Sequence, residues 1–460
     1  MRWYQLSLVL LVGGLLGSVK EAVAQTVPAA TVPLPEVCFP ALSDILRDSS
    51  RQSSRMILRE VENAIAEGNR VQARSPELPN VSGWYSYVPA DWQYRANTSP
   101  ATQWVQRMSY NVGVSQPIYH WGALRDASRI GALGVKIAHG QTADAYRALV
   151  IEIRAQYLQL IVKKRGLVRT RFAQQLAQRR LELTRAQVEN HVQAPSELFG
   201  VSMAVEQAAL SVDRAVEDFA NARLAFSKLT GGPAPSEEQL PDAIPVVTPA
   251  PEALQKIYAG FASQKSPSTF ALEVLREQIE IEKLNYSVAS KRLRPNLNAQ
   301  MSLSQDQNSY SQDPGARYQV RDMQANLQVN WTIFDGFATR AAKANSLARR
   351  RQLEQTYQDQ VEDTLDTVRS LYRQIEFAGR SLAMAEKMYG LAVNACEVQK
   401  DNLARGLASQ ADLENAKLSL YDAEISIYGS RADYMMRVCD FLSNTLADPA
   451  LDNLPPDLRR

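Results

Sequence analysis

The chain has 460 residues, 22% of them charged, with a formal net charge of +2. That length is enough to bury a core, and the near balance of charge offers no basic surface for nucleic acid. The three histidines, His120, His139 and His191, lie far apart with no metal-ligand spacing, and there is neither a glycine-rich phosphate loop nor a nucleophile motif. Composition and motifs argue against an enzyme and imply no cofactor and no metal.

In chain order, residues 1–24 read as a secretory signal peptide. Arg2 supplies the positive end, Leu6 to Leu16 the apolar run, and Ala22-Val23-Ala24 the small-residue cleavage site before Gln25. The competing reading, a membrane anchor, needs ~20 apolar residues, and Lys20 and Glu21 end the run short of that. Residues 25–40 form a proline-rich N-terminal segment. Residues 41–230 form a first repeat: a helix, strands at about 80–88 and 103–117, and a helical hairpin over 122–229. Residues 231–252 are a proline-rich linker. Residues 253–445 repeat the order: a helix, strands at about 296–304 and 320–333, and a hairpin over 337–443. Residues 446–460 are a C-terminal tail. The copies sit about 215 residues apart, far longer than a solenoid unit. Their register holds without a gap, with Arg125 on Arg340, Arg154 on Arg369, Tyr157 on Tyr372 and Leu198 on Leu413.

The strands alternate strictly. Leu297, Ala299, Met301 and Leu303 alternate with Asn296, Asn298, Gln300 and Ser302; Ala325, Leu327, Val329 and Trp331 alternate with Gln324, Asn326, Gln328 and Asn330. Such a period puts one face in an apolar medium and the other in a polar one. Two readings fit, transmembrane barrel strands or a half-buried sheet in a soluble domain. Trp84, Tyr85, Tyr87, Trp92, Tyr94 and Trp104 cluster as an interfacial aromatic girdle requires. The helices that follow carry Leu149, Ile153, Tyr157 and Leu160 among charged residues, a narrow coiled-coil seam. No stretch beyond the leader could span a bilayer as a helix. Four strands cannot close a barrel, and open edges are not tolerated in lipid. A membrane reading therefore requires oligomerisation. Two chains give eight strands and a bore filled by side chains; three give twelve strands around a bore that suits the Asn, Gln, Ser and Thr of the polar faces.

The leader, the two strand–strand–hairpin copies, the junction Trp331-Thr332-Ile333-Phe334-Asp335-Gly336 and the turn Gly406-Leu407-Ala408-Ser409-Gln410-Ala411-Asp412-Leu413 together resemble the TolC family of outer-membrane efflux proteins. The resemblance covers nearly all of the mature chain. It implies a mixed α+β membrane protein: a homotrimer with a 12-stranded β-barrel, four strands per chain, in outer-membrane lipid, continued by a long α-helical coiled-coil tunnel across the periplasm. It further implies the exit duct of a tripartite efflux or type I secretion system. Such a duct is gated at its periplasmic tip and docks on a periplasmic adaptor (membrane fusion) protein and an inner-membrane pump of RND or ABC type. The alternative is a soluble periplasmic coiled-coil scaffold or adaptor.

By the same resemblance, Asp412 matches an acidic residue that points into the pore, where three symmetric carboxylates would form a negative ring. It reads equally as a helix cap. Asn415 stands where the family has a second pore aspartate. Leu403 and Ala408 stand where it has a gate-locking tyrosine and arginine; Arg405 is the candidate substitute, and Glu197 lies opposite Asp412 in the repeat. The first turn, His191-Val192-Gln193-Ala194, places His191 on the second turn's Gly406, and with Gly406, Leu407 and Ala408 it forms the expected adaptor-docking tip. His191 reads either as a pH-sensitive contact or as a plain surface histidine. Cys38 and Cys439 both fall near helix ends away from the tip, and export into an oxidising compartment allows a disulfide between them.

Overall fold

The computed structural model of the protein describes residues 32–94, 102–264, 267–310 and 317–455. The expected leader, the first part of the proline-rich segment and the end of the tail lie outside these residues. One antiparallel sheet holds β1 (Asn80–Tyr94), β2 (Thr102–Tyr119), β3 (Asn296–Tyr310) and β4 (Arg317–Asn330) in the order β1-β2-β3-β4. The two copies thus meet in mid-sheet, where β2 of the first pairs with β3 of the second. The ladder carries β1 and β3 well past Val88 and Ser304, β1 through a bulge between Val88 and Asp91. At the other end β4 stops at Asn330, so the expected strand to residue 333 is too long. Trp331 instead turns its indole N–H to the Leu293 carbonyl, at 3.1 Å.

The register sorts the faces. Val81 and Val114 fall in a row with Met301 and Ala325, and Gly83 and Val112 in the next with Leu303 and Met323, while Tyr85 with Tyr110 and Tyr87 with Met108 extend the same face on β1 and β2. Trp92 and Trp104 pair on this apolar face, their rings 4.9 Å apart. Trp84 leaves the expected girdle: it pairs with Asn111 on the opposite, polar face.

Each copy opens with two helices rather than the single one expected: α1 (Pro35–Cys38) leads into α2 (Pro40–Gln52) and α3 (Ser54–Arg74) in the first, and α6 (Pro251–Ala262) and α7 (Phe270–Lys291) open the second. The hairpins are α4 (Ala123–Glu189) with α5 (Glu197–Thr230), and α8 (Ala338–Ala404) with α9 (Gln410–Asn444). At 1.5 Å per residue α4 and α8 are each roughly 100 Å long, and their returning helices about half that. The strand-proximal half of α4 is flanked by α3 and α7 and its far half by α5, while α9 packs on both α8 and α4. Tyr146, Val150, Ile153, Tyr157, Leu160, Lys164 and Leu167 are buried along α4 at alternating spacings of four and three, a heptad seam. No helix among the described residues is long and apolar enough to cross a membrane.

Half-way along α4 the chain's loose ends converge. Arg154 is fully buried and gives its guanidinium to Glu36 of α1 and to Asp448 after α9, with Nη2 2.8 Å from Asp448 Oδ1. The proline-rich linker wraps the same level: Lys164 donates to the Leu240 carbonyl and Arg431 to that of Ile244, each at 2.7 Å. Gly231 turns the chain into this linker at φ +78°, and a Cβ there would fall 2.0 Å from the Gln52 carbonyl oxygen. The expected Cys38–Cys439 disulfide is not formed; both thiols are free. α1 presents Glu36, not Cys38, to the Arg154 cluster, and Cys439 is buried beside that cluster, where burial pushes its thiol well above the usual range.

Candidate functional site at the hairpin turns

Both hairpins turn by the same backbone device. In the first, Asn190 caps the end of α4, His191 enters the left-handed region at φ 59°, and the Val192 and His191 amides return to the Gln187 and Val188 carbonyls at 2.8 and 3.0 Å. In the second, Gly406 takes φ 74°, and the Leu407 and Gly406 amides return to Asn402 and Leu403 at 2.8 and 3.0 Å. This pattern ends a helix by satisfying its last carbonyls. Glycine adopts it freely, whereas His191 holds the same conformation against the steric cost of a Cβ. The residue after each left-handed position is an exposed apolar one, Val192 at 71% and Leu407 at 76%.

The outgoing helices start differently. Asp412 completes a capping box: its carboxylate accepts from the Ser409 amide at 2.9 Å and hydroxyl at 2.7 Å, while Ser409 Oγ accepts from the Asp412 amide. The Ser409 hydrogen bonds hold the exposed Asp412 carboxyl below the ordinary carboxylate range. The first turn has no such box: Ser196 makes no side-chain cap, and Pro195 precedes it. Glu197 and Asn415 line one groove between α4, α5 and α9, together with Arg179 and Glu414. Asp412 and Arg405 are not among its lining residues, and no ion pair forms at Arg405 among the described residues. No group of side chains that could hold a metal ion is found among the described residues.

Solved structures share this architecture across most of their length. The outer membrane protein VceC from Vibrio cholerae superposes with a TM-score of 0.64 at 12% identity, covering 88% of this chain and 96% of that one. The CmeC outer membrane channel of Campylobacter jejuni gives 0.69 at 14% identity, covering 91% and 89%. In sequence, alkaline protease secretion protein AprF of Pseudomonas aeruginosa is 25% identical over 165 residues, 36% of this chain. The chain spans about a third of that relative's length, 32%. Residues 269–436, the body of the second copy, match the model of the outer membrane efflux protein family. Over that stretch the chain is similar to outer membrane efflux proteins.

In fold, this chain is thus similar to outer membrane channels. Its junction between sheet and helix gives the family-like Trp-Thr-Ile-Phe-Asp-Gly run a physical reading. Gly336 and Phe337 are consecutive left-handed residues, and the Asp335 carboxylate accepts from both the amide and the hydroxyl of Thr339, at 2.8 and 2.6 Å. The first copy makes the corner with Trp121 and Gly122, the glycine in the other place, and His120 bonds Asn298 at 2.9 Å instead.

Sequence reading missed the links that tie the two hairpins together within one chain. Three arginines of α4 reach three carboxylates of α9: Arg165 Nε to Glu424 at 2.7 Å, Arg169 Nε to Asp422 at 2.9 Å and Arg179 Nη1 to Glu414 at 2.6 Å. Arg165 also lies over the Tyr421 ring, 4.9 Å from its centre, and Phe172 packs on that ring. Glu414 is buried despite its charge. The signal was the run of arginines at 165, 169 and 179, but their partners lie some 235 to 259 residues away.

Proposed function

We propose that three copies of this chain form the exit duct of an efflux or type I secretion system. The observation that carries it is the sheet: one apolar face, one polar face, and strand partners for β1 and β4 on one side only. A sheet edge left open in lipid costs several kcal/mol per unsatisfied group, about 3 or more, so the chain needs neighbours at β1 and β4. Three chains give twelve strands. The exposed apolar stripes Ile57, Val61 and Ile65 on α3 and Met384, Met388 and Leu391 on α8 are helix seams for the adjoining copies. A heat-modifiable trimer in the outer membrane that conducts in a planar bilayer is the expected result. A soluble monomer on fractionation would reject the reading in favour of a periplasmic scaffold.

In this reading the α4–α9 ion-pair ladder is the lock of the periplasmic end. It stands in for the polar links that Leu403 and Ala408 cannot make. Breaking it frees α8 and α9 to swing away from α4. The paired turns dock the periplasmic adaptor: Val192 and Leu407, repeated around three chains, offer six apolar knobs beside His191, Gln193, Ala194, Gly406 and Ala408. Passage is driven by an inner-membrane pump. Asp412, kept ionised by its cap, supplies the negative ring above the turn, and Glu197 and Asn415 line the adjacent groove. Replacing Asp412 with Ala lowers cation selectivity in a bilayer; unchanged selectivity would reject the ring.

A further inference from the structure

The strands sort their charges by sign. All carboxylates of the described strands, Asp91, Asp306 and Asp322, fall on the polar face. There Asp306 accepts from Ser109 at 2.6 Å, and Asp91 lies 3.7 Å from Arg107. On the apolar face the described strands carry only two charged residues, Arg317 and Arg321 of β4. Neither forms an ion pair among the described residues.

These arginines occupy a definite height. Rows of the apolar face run from Leu297 and Val329 through Ala299 and Leu327, and Met301 and Ala325, to Leu303 and Met323. The next row is Tyr110, Gln305 and Arg321; above it come Met108, Gln307 and Gln319, then Gln106, Ser309 and Arg317. On β3 and β4 the switch from apolar to polar is abrupt and lies at the end away from the helices, whereas on β1 and β2 the same face continues as an aromatic-rich band of Tyr85, Tyr87, Met108, Trp92 and Trp104. An arginine on a lipid-facing strand is tolerated near the interface and disfavoured at mid-bilayer. Arg321 therefore marks the border of the outer leaflet.

Arg321 is also held in place. Gln305 is 6% exposed, and its Oε1 accepts from Arg321 Nε at 2.8 Å and from the Tyr110 hydroxyl at 3.4 Å. A buried amide with one oxygen on two donors holds the exposed guanidinium by its inner nitrogen, and its terminal nitrogens have no ion-pair partner among the described residues. That fork suits two oxygens of a phosphate. Arg317 lies on the same strand and face, a few residues nearer the external end.

We infer that Arg321 and Arg317, positioned by Gln305 and Tyr110, bind the phosphate-bearing headgroup of a glycolipid in the outer leaflet, three such sites ringing the assembled barrel. The inference rests on the outer-membrane duct reading. The phosphate oxygens take the terminal guanidinium nitrogens, the acyl chains lie against the Leu303 to Leu297 rows below, and the described strands place no carboxylate on that face to repel the anion.

The test uses the mature full-length protein purified in a zwitterionic detergent. It is titrated with a bis-phosphorylated acylated glucosamine disaccharide and with its dephosphorylated twin, bound lipid being read by native mass spectrometry. The wild type is expected to prefer the phosphorylated lipid by roughly tenfold to thirtyfold, the scale of two arginines at an anionic surface. The R317Q/R321Q double variant loses that preference, and R321K recovers part of it. Millimolar inorganic phosphate leaves binding of the phosphorylated lipid in place. Equal binding of the two lipids by wild type overturns the proposal, and this arm needs no variant to fold. Displacement by inorganic phosphate alone also overturns it, in favour of a free-anion site. Failure of the protein to enter vesicles of any composition sinks the duct reading itself, a result distinct from insertion without phosphate preference.

Discussion

The middle of α4 and the middle of α8 began as the same stretch of sequence, yet the fold treats them as opposites. Arg154 is sealed under α1, the linker and the tail, whereas its repeat mate Arg369 is mostly exposed and, among the described residues, pairs only with Asp366 one turn away. Duplication supplied two equal helices, and the non-repeated segments all settled on one of them. The turns show the converse. There the side chains diverged, His191 against Gly406, while the backbone conformation was kept. A repeat can preserve backbone where it needs a corner and spend its divergence on whatever covers a helix face.

The sharpest way to break the first contrast is to remove both arginines in turn. R154M leaves the Asp448 and Glu36 carboxylates without their cation, Asp448 almost wholly buried. A loss of about 3–5 kcal/mol is expected, read as a large drop in melting temperature. R369M should shift it by no more than about 0.5 kcal/mol. Equal effects would show that the belt around Arg154 is not the anchor described. Next in size is G231A, where a Cβ meets backbone at Gln52 as well as an unfavourable φ; G406A has the φ cost alone, about 1–2 kcal/mol. The melting temperature should fall further for G231A.

Breaking the ladder tests the second region. Removing Glu414 and Asp422 together (E414Q/D422N) is expected to raise single-channel conductance while costing only about 1 kcal/mol of stability, since Arg179 and Arg169 are partly solvated. Conductance unchanged from wild type would remove the ladder from gating. Smaller still, H191G relieves the one non-glycine left-handed position of the turns and should stabilise the first tip by about 1 kcal/mol or less, seen as slower amide exchange at 190–194.

The smallest expected effect is on pH. Because the folded Asp412 lies below its ordinary value, its cap contribution is fully present above the usual carboxylate range. It is lost as pH falls through the lowered folded value. Protection of the 406–412 amides relative to their intrinsic exchange rates should fall only in acid, and in D412N it should be low throughout the range.

Much of this architecture was legible because period-two alternation and a heptad seam are local signals. Asn296 to Ser304 announces a strand by its own spelling, and the αL corner at Gly406 by its glycine. The lengths of β1 and β3 were less legible, since Trp92 lies beyond a bulge and Gln305 to Gln307 break the apolar count. The face of Trp84 needed the register with Asn111. The Arg154 clasp and the α4–α9 ladder were invisible for a different reason. Their partners are brought together only by the fold, and a solvated helix charge looks the same in sequence as one that locks two hairpins. Asp412 was ambiguous by nature, because the residue that caps a helix start is the residue type that lines a pore.

The unfinished edges of the sheet have a consequence for genetics. If β1 of one chain must zip to β4 of the next before any of them can rest in lipid, then copies are pooled before quality is judged. A chain able to assemble but damaged at its turns would spoil every ring it joins. In a cell making equal amounts of sound and damaged chain, only about one ring in eight would be wholly sound. Partial defects in this protein should therefore be dominant, and a complete null recessive.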